Sequence, residues 1–217
     1  MLSVFGLSIN IPGEIITIWA ITAIIAVLSF IARRSLKERP GRFQNVAESL
    51  VEYIENFLTD VLGKEKAGKY YSFLGSLLIF IVVSNYSAFI PGVGIIPGLT
   101  VPTSSLSVTV GLGICTFIFL QYYALKMGFV NYIKRFAKPL FLLPLMLLDE
   151  LVKPVSLSLR LYGNIFGEET VTEQLYEIFP IGIPIIMMLL SLLFCFIQAI
   201  VFTMLTSIYI DEATETD

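Results

Sequence analysis

A chain of 217 residues that is 56% hydrophobic and only 14% charged, with a mean hydropathy of +0.85, falls well short of the roughly 25% charge of soluble domains and reads as a polytopic membrane protein. A net charge of −3 and a pI near 5.1 give no basic footprint for nucleic acid. The sequence contains no histidine, which excludes imidazole metal ligands and imidazole proton relays.

In chain order, the first apolar run is 15–32, near the 20 residues or so that a hydrocarbon core of roughly 30 Å requires. No Lys or Arg occurs in the first 32 residues, so they lack the basic start of a secretory signal and are expected to be retained. After the Pro40-Gly41 break, Val46, Leu50, Ile54, Leu58 and Val61 recur at helical spacing while Glu48, Glu52 and Glu55 fill the other face. The pattern predicts an amphipathic helix over 42–62 that either lies on the membrane surface, the favoured placement, or packs against the bundle. Further spans are expected at 72–90, 107–125, 140–168 and 181–210, with Cys115 and Cys195 in separate apolar runs as small buried hydrophobes. No repeat or low-complexity tract interrupts what reads as one membrane domain, 1–217.

Charge placement predicts the topology. Of the 14 basic residues, Arg33, Arg34, Lys37, Arg39, Arg42, Lys64, Lys66 and Lys69 fall in one connection, and Lys126, Lys134, Arg135, Lys138 and Lys153 in or beside another. The connections at 91–106 and 169–180 have none. By the positive-inside rule the basic connections are cytoplasmic, the N-terminus is outside and the acidic tail DEATETD is inside. The last two spans are too long to stand upright, since residues 140–168 would reach about 43 Å as a helix. They are expected to tilt or bend, with Pro144 and Pro154 allowing bends and Pro180 and Pro184 introducing the last span.

Arg160 is the only cation outside a connection, and at mid-membrane it costs about 2.5–3.5 kcal/mol on the insertion scale. Ser156, Gly163, Asn164 and Gly167 fall within about 60° of it on a helical projection, giving a small polar stripe that a second helix can approach closely. Glu168 projects about 80° from Arg160 and Glu169 about 180°, so Glu169 is expected to face the final helix, with Glu173 and Glu177 in the loop beyond. In the final helix Ser191 and Gln198 are seven apart and share a face. A hairpin turning near residue 179 sets Gln198 level with Arg160, and Ser191 near Gly167 and Glu169.

Residues 153–169, KPVSLSLRLYGNIFGEE, closely resemble the pattern KPVSLxLRLFGNxxxGE of subunit a of F-type ATP synthases. RPGRFQNVAE at 39–48, FIPG at 89–92 and IQAIVFTMLTSIYI at 197–210 extend the likeness over nearly the whole chain. The resemblance implies an all-α membrane subunit of about five spans plus a cytoplasmic-surface amphipathic helix, its last two spans tilted against a ring of c subunits. It also implies b subunits of the peripheral stalk, the rest of the synthase and the lipid bilayer as partners, a bacterial cytoplasmic membrane as location, and no cofactor. Arg160 matches the arginine that meets each ring carboxylate, and Asn164, Glu169 and Gln198 match polar positions of the path for protons or Na+. Two departures stand out. Ser191 replaces a histidine common in bacterial relatives, and PTSSLSVT at 102–109 has Ser105 and Ser107 where the family usually has Asp and Asn, a loss for which Glu168 is expected to compensate.

A self-contained secondary transporter would show paired halves or matching broken helices, and the sequence has neither. A non-conducting scaffold leaves the cost of Arg160 unexplained. No GxxxxGK[ST] loop is present, so nucleotide chemistry is expected on partner subunits and the chain is not itself expected to be an enzyme.

Overall fold

The computed structural model describes residues 2–4, 7–9, 13–34, 41–89, 100–126, 143–178 and 182–214. Two short strands, β1 (Leu2–Val4) and β2 (Leu7–Ile9), pair antiparallel with Leu2 opposite Ile9. The helices that follow are α1 (Gly13–Arg34), α2 (Arg42–Leu62), α3 (Lys64–Tyr86), α4 (Leu106–Lys126), α5 (Leu143–Ile178) and α6 (Ile183–Thr214). Short 3-10 turns occupy Ser87–Phe89 and Pro102–Ser104. Helices α1, α3, α4 and α6 are each long and apolar enough to cross a membrane. The chain is therefore an all-α polytopic membrane protein with a small β-hairpin near its start. Helix α5, at 36 residues, has the length to cross but carries Arg160 and several carboxylates along it.

Helix α2 matches the expected 42–62, and its placement divides along its length. Ile54, Leu58 and Leu62 are buried against α3 and α6, while Val46 and Leu50 of the same apolar stripe remain exposed. Only Gly63, at φ 77°, separates α2 from α3, a left-handed conformation that glycine adopts without a Cβ penalty. Helix α3 consequently starts eight residues before the expected span, and its first turns carry Lys64, Lys66 and Lys69.

Three other expectations are corrected. Helix α5 does not end at 168 but continues to Ile178, so Glu173 and Glu177 are helical rather than in a loop. Pro144 is the second residue of α5, where a missing N–H costs nothing, and so opens the helix instead of bending it. Cys115 is exposed on the outer face of α4, whereas Cys195 is buried as expected. The Pro40 break, the turn at 90–92, most of the basic connection at 127–142 and the turn near 179 lie outside the described residues.

Polar groups gather at the two ends of the bundle. At one end, Lys66 Nζ meets Asp211 Oδ1 at 2.5 Å and joins α3 to α6. Lys153 Nζ, from α5, reaches Glu212 Oε2 of α6 at 3.0 Å and Glu150 Oε2 at 3.4 Å. Gln121 Nε2 of α4 donates to Glu150 Oε1 at 2.8 Å. These contacts bring together the C-termini of α4 and α6 with the N-termini of α3 and α5, as an alternating up-and-down bundle requires. Between the ends, Tyr70, Leu74 and Ile81 of α3 pack with Leu157 and Leu161 of α5 and Phe202 of α6. Lipid tails are as apolar as these side chains, so close contact rather than water exclusion holds the helices together.

Candidate functional site

On α5, Leu157, Ser158, Leu161 and Ile165 are buried, fixing the face turned to α4 and α6. Leu159 and Phe166, at 54% and 49% exposure, mark the outward side. The Arg160 stripe runs between these faces. Arg160 and Gly163 are exposed and Ser156, Asn164 and Gly167 half-buried. A methyl group added at Gly163 or Gly167 would meet nothing within 4 Å. Among the described residues Arg160 has no hydrogen bond or ion pair, in contrast to Lys66 and Lys153. The stripe is thus an open face of small side chains carrying one unpaired cation.

At the end of the bundle opposite the Lys153 cluster, α5, α6, the 87–89 turn that follows α3 and residues 100–104 line an open cavity of about 630 Å³. Glu168, Glu169, Glu173, Ser104, Ser191 and Cys195 contribute to its wall. Glu168 Oε2 lies 3.9 Å from Cys195 Sγ while Lys153 meets Glu212 at the other end, so α5 and α6 run antiparallel with Cys195 at the depth of Glu168. The acid turned toward the final helix is therefore Glu168 and not Glu169, which is exposed at the cavity rim. The reason is in the projection. Glu168 is seven residues after the fully buried Leu161 and eleven after Leu157, the same side of the helix, and that relation to the buried leucines is the signal the sequence offered.

Gln198 is 6% exposed and one turn below Cys195, and its Nε2 has no acceptor. The structure does not bond it to Arg160. Thr203, Thr206 and Ser207 of the same helix behave differently, each hydroxyl donating to the carbonyl four residues earlier at 2.8–3.0 Å. A hydroxyl satisfies itself in this way along a helix, and the Gln198 amide nitrogen does not. Of the residues singled out from sequence, Glu168, Glu169 and Ser191 share the cavity, Gln198 lies beneath it, and Arg160 and Asn164 lie on the open stripe. Ser105 is half-buried beside the cavity-lining Ser104.

Known proteins resemble this chain over almost its full length. A family model described as "ATP synthase A chain" matches residues 15–211. ATP synthase subunit a of Moorella thermoacetica is 40% identical over 93% of this chain and 90% of its own length. ATP synthase subunit a 3 of Pelobacter propionicus is 39% identical over 91% and 85%. The chloroplastic ATP synthase subunit a of Stigeoclonium helveticum is 36% identical over 95% and 86%.

Proposed function

Because the chain belongs to the ATP synthase A chain family, we propose that it provides two offset half-channels that carry protons to and from the carboxylates of a c-subunit ring. It is a membrane-embedded, non-catalytic subunit of an ATP synthase. In the proposed arrangement the open stripe of α5 faces the ring, and Arg160 stands between the half-channels. The observation that carries this reading is Arg160 itself, a lone unpaired cation on an open, small-residue face. A guanidinium stays charged in any plausible environment. It stabilises the ionised form of a carboxylate brought beside it, so an arriving ring site gives up its ion and cannot pass it straight to the other half-channel. Ions must then ride the ring round, driven by about 2.3 kcal/mol per charge per 100 mV.

The cavity beside Glu168 and Glu169 supports an outer half-channel at that end. The basic ends of α1, α3 and α4 support a cytoplasmic placement of the opposite end, in a bacterial inner membrane with the N-terminus outside. The b subunits of the peripheral stalk are the proposed stationary partners.

ATP-driven ion uptake by the whole complex in liposomes tests the reading. Acidification of the lumen without added sodium, abolished by a protonophore, is the expected result. Sodium uptake that persists with protonophore would make this a sodium path, and coupled ATP hydrolysis with uptake of neither ion would overturn the function. Within the outer path, Glu168→Gln is expected to slow uptake more than Ser105→Ala. Equal, negligible effects on the initial rate would remove Glu168 from the path.

A further inference from the structure

Helices α3 and α4 each pack against α6, and α4 also against α5, but they meet one another mainly through side chains. The bridge is made of rings. Phe73 of α3 and Phe119 of α4 stack with centroids 3.5 Å apart, and Tyr70 meets Tyr123 edge-on at 4.9 Å. Tyr123 also leans on Phe119 at 4.7 Å. On a helical projection Lys69, Phe73, Ser76 and Phe80 share one flank of α3. Cys115, Phe119, Tyr122 and Lys126 share the flank of α4 that meets it. Phe73, Phe80 and Phe119 are half-buried, while Ser76, Cys115 and Tyr122 are exposed. Between the two helices is therefore a groove floored by aromatic rings rather than by backbone.

Two exposed cations stand at one end of this groove. Lys69 Nζ lies 5.5 Å from the centroid of the Tyr70 ring, and Lys126 Nζ lies 5.9 Å from that of Tyr123. The ring pairs set the register of the antiparallel helices, so both ammonium groups are at one level, at the end of the bundle that carries Lys66 and Lys153. A ring face attracts a cation placed over it, which holds each ammonium beside the groove. Deeper in, both flanks are uncharged.

The lining divides as an anionic phospholipid does, with cations for a phosphate at the interface and flat apolar rings below for an acyl chain. Basic pockets between transmembrane helices are a recurring seat for such headgroups. A further helix suits the groove less well. Close helix approach needs small residues, and here Phe73 and Phe119 occupy the floor.

We propose that the groove between α3 and α4 binds a phospholipid with an anionic headgroup, its phosphate between Lys69 and Lys126 and one acyl chain laid over Phe73, Phe119 and Cys115. The site lies apart from Arg160 and the Glu168 cavity, and its occupancy does not depend on which ion is carried. Cys115, eleven residues before Lys126, is about 16 Å deeper along the helix, a depth that an acyl chain reaches.

The test uses the whole complex in phosphatidylcholine vesicles containing a trace of photoreactive lipid. The probe is phosphatidylglycerol in one sample and phosphatidylcholine in the other, each with the same diazirine on an acyl chain, and adducts are assigned to residues by mass spectrometry. Adducts at Phe119 and Cys115 are expected at least about fivefold more often from phosphatidylglycerol, the factor equivalent to about 1 kcal/mol for one basic residue at the surface. Lys69→Gln with Lys126→Gln is expected to bring that preference to about one. Ile118, 60% exposed on the outward side of α4, should be labelled equally by both lipids before and after the change, which also shows that the altered chain remains in the membrane. Equal labelling of Phe119 and Cys115 by the two lipids would overturn the proposal, as would a preference that survives the double substitution. Labelling at Ile118 with none at Phe119 or Cys115 from either lipid would overturn it too, and would mean that a helix of another subunit fills the groove.

Discussion

Complexes carrying Arg160→Ala are expected to assemble in normal amount and to pump no ions. The two halves of that expectation come from the same observation. Arg160 is exposed and has no hydrogen bond or ion pair among the described residues, so truncating it orphans no partner, and its effect on stability should stay within about 0.5 kcal/mol. Its effect on transport is of another order. A unit charge pair about 4 Å apart at an effective dielectric of 20 is worth about 4 kcal/mol, which corresponds to a rate factor of about a thousand. Arg160→Lys should fail nearly as badly, because an ammonium gives up its proton when desolvated and lacks the planar fork that holds a carboxylate. The measurement is ATP-driven uptake beside the abundance of the chain in the membrane. A variant that assembles and pumps within about tenfold of the unaltered complex would show that the cation is structural.

The second large effect concerns the contact that holds the arginine helix in place. A Cβ at Gly113 of α4 would lie 2.8 Å from the Pro154 carbonyl oxygen of α5 and closer still to Ser158 Oγ. The backbone oxygen cannot turn away, and Ser158 Oγ is engaged by its own bond to that carbonyl at 2.7 Å. Gly113→Ala should therefore push α4 and α5 apart, at about 1–3 kcal/mol, with Gly113→Val beyond that. The loss should appear as a lower melting temperature of the complex and less chain in the membrane. Gly111→Ala, where an added methyl meets nothing within 4 Å, is the neutral control. Equal behaviour of the two alanine variants would mean that the helices slide past each other at no cost.

The sequence was most legible where one periodicity ruled. The limits of α2 follow from its apolar stripe and from Gly63, and the interiors of α1, α3, α4 and α6 follow from apolar length. It was least legible where two environments meet on one helix. Helix α5 was expected to stop at 168 with Glu173 and Glu177 in the loop beyond, yet nothing from Thr170 to Ile178 breaks a helix, and a cavity end tolerates both carboxylates. The assignment of Glu169 to the final helix took its angle from Arg160, a residue that marks the open face, when Leu157 and Leu161 mark the packed one. The unpaired amide nitrogen of Gln198 was legible only as a polar residue, because whether it finds a partner depends on what neighbouring helices present. The strands near the start were too short for alternation to register.

The ion pairs Lys66 to Asp211 and Lys153 to Glu212, each joining two helices, lie at the end away from the cavity. Mechanically these pairs clamp the bundle at that end. A part that must stay still while a neighbour turns needs stiffness, and stiffness made of ion pairs would compete with moving ions for the same charges. In the proposed arrangement this clamp lies away from the outer mouth, so torque is resisted without fixed ion pairs between Lys and carboxylate beside the Glu168 cavity.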